Sequence, residues 1–203
     1  MHLLRSDSKE KYSWGRGPSA AVELREWPDG RRAIVKRYGP EDGHRNAMWR
    51  EYLALTFLRT THVVPKVLKL MPKSRVLVLE WIPGVTILEW VLRRYGVAEA
   101  SVQRFIKREP VKKSRQAMDI FEQFQQSMDP DCVRLREAVR SAYDQIHRRH
   151  VVHNDVKPAN IILEGGYSTP PCSVVLVDFE SATVRWDAAR RDRAEFEMWL
   201  GNN

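Results

Sequence analysis

The run "AAVELREWPDGRRAIVKRY", residues 20 to 38, constrains the fold more than any other stretch. It alternates on both sides of Pro-Asp-Gly, and that arrangement predicts two antiparallel strands around a tight turn. The stretch from Asp42 to Arg59 then turns helical. Met48, Glu51, Leu55 and Leu58 recur at spacings of 3, 4 and 3 and share one face. A glutamate on an apolar face needs a partner, because a buried unpaired carboxylate is expensive. "SRVLVLEWI" (74–82) reads as a strand that Pro-Gly stops, and "TILEWVLRRYG" as a helix ending at Gly96.

Residues 97 to 130 read as helical with weak patterning. A helix from about Arg134 to Arg149 would bury Val139, Tyr143 and Ile146. "NIILEGG" and "CSVVLVDF" predict a second hairpin, and Asp187 to Leu200 has room for a closing helix. Strands and one helix come first, and helices with a small hairpin follow. The order predicts an α+β chain of two lobes: a polar, flexible arm over 1–11, a β-rich lobe over 12–82 and a reduced helical lobe over 83–203. A ligand cleft is expected between the lobes.

Composition narrows the partners. The 203 residues carry a net charge of +8, which favours anionic partners: nucleotide, phosphate, nucleic acid or an acidic protein face. Two cysteines, Cys132 and Cys172, rule out a disulfide scaffold and read as reduced thiols. "MHLLRSDSKEKYSW" lacks the apolar core of a signal peptide, and no apolar run reaches the ~20 residues that a bilayer span needs. The expected location is cytoplasmic or nuclear, with no membrane partner.

Several polar residues are candidates for chemistry. "GRGPSAAV" (15–22) sets Gly15, Gly17 and Ala20 at G-x-G-x-x-[GA] spacing before Val22, and small residues let backbone N–H groups approach phosphate. A plain loop fits the same letters. Its place at the head of a hairpin, not between strand and helix, excludes a dinucleotide-binding fingerprint. Lys36, in the returning strand, would ordinarily be a solvated edge residue. Glu51 changes that expectation, since two buried opposite charges can satisfy each other and turn the lysine toward a phosphate. In "HNDVKPAN" (153–160), Asp155 can accept a hydroxyl proton, Lys157 can offset phosphate charge, and Asn160 offers a hard oxygen to a cation such as Mg²⁺. Asp178, at the end of "VVLVDF", supplies a second hard oxygen.

Taken in order, these parts resemble the protein kinase-like superfamily: Gly-rich loop, "AIVK" lysine, helix glutamate, "HND-x-K-P-x-N" loop and "DF" aspartate. The resemblance implies ATP and Mg²⁺ as cofactors. Lys36 would hold the α- and β-phosphates, oriented by Glu51. Asp155 would be the base, Lys157 would meet the γ-phosphate, and Asn160 and Asp178 would hold the metal. It also implies that Glu80 to Ile82 form a hinge whose backbone meets adenine, with Leu79 at its gate.

Three features depart from the family pattern. Asn154 stands where arginine is usual, and in the family that arginine often pairs with a phosphorylated loop; its absence implies activity independent of such a switch. Glu180 replaces the glycine of the metal motif, which adds negative charge and restricts flipping of that segment. No A-P-E segment or long activation loop follows Asp178. The size resembles compact atypical kinases such as the RIO group and the small kinase of the KEOPS tRNA-modification complex. Asp192, in "RRDRAEFEMWL", reads as a solvated charge on an amphipathic helix in preference to an anchor for the catalytic loop.

The implied activity is transfer of phosphate from ATP to serine or threonine of a protein. The alternatives are a small-molecule kinase of the same fold and a nucleotide-binding pseudokinase or scaffold. Residues 93–115 hold eight Lys or Arg against Glu99 and Glu109. That segment reads as a solvated face or as a docking surface for an acidic protein or RNA.

Overall fold

In the computed structural model, which describes residues 11–16, 19–102, 115–168, 173–185, 192 and 199–200, the chain turns back at Pro-Asp-Gly. Gly30 takes a φ of +78°, and its N–H donates to the carbonyl of Trp27 at 2.9 Å. The Asp29 carboxylate accepts from the backbone and the guanidinium of Arg31 and so closes the turn. The flanking strands, β2 (Ala20–Glu26) and β3 (Arg32–Tyr38), are joined by β1 (Lys11–Arg16), β4 (Val67–Met71) and β5 (Val76–Glu80). The five form one antiparallel sheet in the order β1-β2-β3-β5-β4. Residues 1–10 of the expected arm lie outside the described residues, and Lys11 already belongs to β1.

Register decides which side chains face the cleft. Val22 lies opposite Lys36, Lys36 opposite Leu77, and Ile34 opposite Leu79. Directly opposed residues share a face. Val22, Ile34, Lys36, Leu77 and Leu79 therefore look one way, together with Tyr38. Ala33, Val35, Val76 and Val78 look the other way and form a small separate cluster, with Trp27 and Met71 packed on it. Against the first face lies α1 (Asp42–Phe57), whose Met48, Glu51 and Leu55 are all buried, as is Leu58 just beyond it.

The second lobe starts at β6 (Gly84–Thr86), a short strand missing from the sequence reading. It pairs with β8 (Ile161–Glu164), which pairs with β9 (Val174–Leu176), so the expected second hairpin becomes a three-stranded sheet. Gly84 makes the approach possible: a Cβ there would sit 2.2 Å from the carbonyl oxygen of Leu163. α2 (Ile87–Arg94) is capped by Thr86, whose hydroxyl accepts from the N–H of Glu89 at 3.1 Å. Residues 99–102 are helical.

Next come α3 (Arg115–Gln126) and α4 (Pro130–His147). α4 starts four residues before the expected position, because Asp129 caps it through the N–H groups of Asp131 and Cys132 and Pro130 fills the first turn. A two-stranded ribbon, β7 (Val151–Val152) with β10 (Thr183–Val184), frames the loop between them. Of the span where a closing helix is expected, Asp192 and Trp199–Leu200 are described and helical; Trp199 meets Phe121 edge-on with ring centres 5.0 Å apart. One continuous core runs from the inner face of the sheet through α1 to α4 and the small sheet. No helix among the described residues is long and apolar enough to cross a membrane.

Candidate active site

A cavity of about 500 Å³ lies where the sheet meets the second lobe. Its roof is the inner face set by the β2–β3–β5 register: Val22, Ile34, Lys36 and Leu79. Its floor carries Asp155, Lys157, Asn160, Val177, Asp178 and Glu180. Glu80, Trp81 and Ile82 form one wall.

Lys36 is the charged centre. It is 5% exposed, and its ammonium lies 2.8 Å from Glu51, 2.9 Å from Asp178 and 3.0 Å from Glu180. Burial works against its charge, but the three carboxylates outweigh burial and hold its pKa above the ordinary lysine value. The Glu51 carboxylate is fully buried and satisfied from three directions: it accepts from Lys36, from the hydroxyl of Tyr38 and from the N–H of Phe179 at 3.3 Å. Burial, with Glu51 beside it, pushes the Tyr38 phenol well above its usual range. The glutamate on the apolar face of α1 thus has the partner it required.

Asp178 follows β9 with a left-handed backbone, φ +68°, which lifts its carboxylate toward Lys36 while Phe179 turns into the core against His153. Burial opposes the charge of Asp178, but Lys36 above all, then Lys157 and His153, hold its pKa below the usual carboxylate range. Glu180 behaves in the opposite way: burial, with Asp178 and Glu51 adding to it, pushes its pKa up despite Lys36. The carbonyl of Glu180 accepts from Arg50 of α1 at 2.8 Å.

The loop after β7 holds the rest. Lys157 donates to Asp155 at 2.6 Å. The Asn160 amide donates to the carbonyl of Asp155 at 3.0 Å and to its carboxylate at 2.9 Å, which leaves the Asn160 side-chain oxygen for another ligand. With Asp178 that makes two hard oxygens on one wall of the cavity, a donor set that suits Mg²⁺. Glu51 and Glu180 bring their carboxylates close to that of Asp178, and Lys36 engages all three.

Asp192 corrects the sequence reading. It is 1% exposed, not solvated. Its carboxylate accepts from the backbone N–H of His153 at 2.8 Å and of Asn154 at 2.9 Å, and faces His147 Nε2 at 3.0 Å. Those donors hold its pKa low although burial pulls the other way. Asn154, with φ +59°, uses its amide on the carbonyl of Ser181 at 2.9 Å and the hydroxyl of Thr183 at 3.0 Å, tying the 153–160 loop to the segment after Phe179. His153 donates from Nε2 to the carbonyl of Val177 at 3.0 Å; burial keeps its pKa below the ordinary histidine value.

The candidates therefore separate. Lys36, Glu51, Asp155, Lys157, Asn160 and Asp178 come together around one cavity, with Val22 above and Glu80 and Ile82 beside it. The N–H of Glu80 is taken by the carbonyl of Lys66 at 2.9 Å, so a hinge contact from Glu80 must use its carbonyl. Ala20 is buried in the core and does not line the cavity. Gly15 pairs with Val22 across β1 and β2, and Gly17 lies outside the described residues.

Most of the basic segment also lies outside them. Of its described cations, Arg93 pairs with Glu89 and Glu99, and Arg94 with Asp129 and Asp131. Tyr38 and Arg50 were missed as site residues, and Asp192 was weighed as an anchor but read as a solvated charge. Tyr38 carried a readable signal, since it is two residues from Lys36 in one strand and so shares its face.

A family model described as ABC1 atypical kinase-like domain matches residues 45–200, a span that includes Glu51, Asp155, Asn160, Asp178 and Asp192 and begins after Lys36. No curated protein matches the chain.

Proposed function

The chain belongs to the ABC1 atypical kinase-like family, and on that premise we propose that it is an ATP- and Mg²⁺-dependent phosphotransferase whose acceptor is a serine or threonine hydroxyl of a protein. The observation that carries the reading is the meeting of Lys36, Asp155, Asn160 and Asp178 around one cavity. These groups are a cation for phosphate, a base and two hard oxygens.

The donor's adenine end enters beside Glu80 to Ile82, under Val22 and Leu79. Lys36, held by Glu51, meets the α- and β-phosphates. Asn160 and Asp178 would hold Mg²⁺, which supplies positive charge to the β- and γ-phosphates. Asp155 receives the acceptor's proton as its oxygen bonds to the γ-phosphorus and the bond to the β–γ bridging oxygen breaks, releasing ADP. Lys157, 2.6 Å from Asp155, orients that carboxylate and offsets charge on the moving phosphoryl group. Most of the rate gain is positioning and charge stabilisation. Lys157 is also what favours a protein acceptor, by its likeness to the protein-kinase loop.

A second reading, a nucleotide-binding protein without transfer, draws support from Lys36, whose ammonium already faces three carboxylates. One experiment separates them. γ-Labelled ATP is incubated with wild type and Asp155→Asn, with Mg²⁺ or EDTA, against protein and small-molecule acceptors. Expected are Mg²⁺-dependent labelling of protein by wild type, loss of labelling in the variant, and nucleotide binding by both. Binding without transfer to any acceptor would establish the second reading; labelling of small molecules alone would move the acceptor class.

A further inference from the structure

Lys36 has no donor to spare. An ammonium carries three N–H groups, and Glu51, Asp178 and Glu180 lie at 2.8, 2.9 and 3.0 Å from it. A phosphate oxygen can take its place on Nζ only if one carboxylate withdraws.

The three carboxylates differ in what else holds them. Glu51 is fully buried and also accepts from Tyr38 and from the N–H of Phe179, so its departure would strand three donors. The Asp178 carboxylate also has Lys36 as its partner, but it hangs on a side chain one methylene shorter than that of Glu180, from a left-handed backbone next to the bond from the N–H of Val177 to the carbonyl of Asn160 at 2.9 Å. Glu180 is anchored through its backbone, whose carbonyl accepts from Arg50; among the described residues its carboxylate has no partner but Lys36. It also lines the cavity, and its oxygen lies within 4.8 Å of carboxylate oxygens of both Glu51 and Asp178. Three like charges at that spacing repel, so the least tethered of them moves at the smallest cost.

We propose that the Glu180 carboxylate stands in for a nucleotide phosphate on Lys36 and is displaced when a nucleoside di- or triphosphate enters, so that Glu180 sets the nucleotide affinity of the protein. The inference rests on the nucleotide-binding reading above. No bond is made or broken. Lys36 exchanges one anionic partner for another, and Glu180 swings toward the cavity mouth. Glycine, the residue of the related motif, offers no such competitor. The alternative role for Glu180, a further metal ligand beside Asp178, predicts a change of opposite sign.

The test is titration calorimetry of ADP and ATP into the full chain, as wild type, Glu180→Gln and Glu180→Gly, each with Mg²⁺ and with EDTA. Circular dichroism checks that each variant is folded; the near-isosteric glutamine variant carries the test if the glycine variant does not fold. Both variants are expected to bind nucleotide about tenfold more tightly than wild type, the size of one lost competing ion contact, with Mg²⁺ and without it. Equal affinity in all three proteins overturns the inference and leaves the nucleotide reading standing. Weaker binding by the variants confined to Mg²⁺ overturns it in favour of a metal ligand. Binding by none of the three overturns the inference and the nucleotide reading together.

Discussion

Two carboxylate centres lie on either side of the 153–160 loop, and they are built on opposite plans. Above it, Glu51, Asp178 and Glu180 share the single ammonium of Lys36. Below it, Asp192 stands alone among the N–H groups of His153 and Asn154 and the ring of His147. The first centre has more negative charge than its cation can balance, and it opens onto a cavity. The second is closed, with its acceptors filled by neighbouring donors. A buried charge that is fully hydrogen-bonded fixes geometry. A cluster with surplus charge invites a further cation or an exchange of partners. The backbone of the 153–160 loop is thus pinned by a satisfied carboxylate, while the carboxylates around Lys36 share one cation.

The largest effect should come from removing the cation of the upper centre. Lys36→Met leaves three carboxylates facing one another without their shared partner. It is expected to cost about 3 kcal/mol of stability, read as a lower urea midpoint, and to reduce phosphoryl transfer by about a hundredfold or more. A variant as stable as wild type would show that charge does not hold this centre together.

Breaking the lower centre should be milder and of a different kind. Asp192→Asn removes the charge that orders the His153 and Asn154 amides, at a cost of about 2 kcal/mol. Transfer should fall while nucleotide affinity, which we propose the other centre sets, stays near wild type. Parallel titration and turnover assays check this, and an equal loss in both would merge the two centres into one unit.

The smallest effect is a pH slope that sharpens the contrast. His153 is buried, and its folded pKa lies below the ordinary value of about 6.5. The unfolded chain therefore takes up a proton there first. The contribution is fully present above about pH 6.5 and is lost as pH falls below it. Asp192, whose folded pKa is depressed, contributes in a separate window: its share is present above about pH 3.9 and is lost only as pH falls further. His153→Gln should flatten the stability profile between about pH 6.5 and 5 in denaturant titrations and leave the steeper acid limb in place. An unchanged slope in that window would assign it to other groups.

The two centres also differ in how well the sequence disclosed them. Glu51 stood out because a carboxylate on an apolar helical face is costly, and Lys36 because a strand lysine at that distance offered a remedy. Their pairing followed from charge alone. Asp155, Lys157 and Asn160 were legible as a set because a carboxylate, an ammonium and an amide oxygen fall within one short loop, and Asp178 because it puts a second hard oxygen at the end of an apolar strand. Asp192 was hidden by its neighbours: in "RRDRAEFE" every adjacent charge favours a solvated face, and its donors are backbone groups some forty residues away.

Backbone partners have no signature in side-chain letters, and the same limit hid β6, whose three residues become a strand only through β8. The third contact of Lys36 escaped as well. Glu180 could be seen to add charge near the site, but only the left-handed turn at Asp178 aims it at the ammonium.

Gly84 carries a consequence for how variation in this chain should be read. The carbonyl of Leu163 fills the space a side chain would need, so even alanine forces β6 away from β8 and shifts the cavity wall that Gly84 and Val85 line. Selection would hold that codon as tightly as the codon of Asp155, although Gly84 carries out no chemistry. A ranking of positions by invariance would set the two side by side, one kept for the proton transfer we propose and the other for the close approach of two strands.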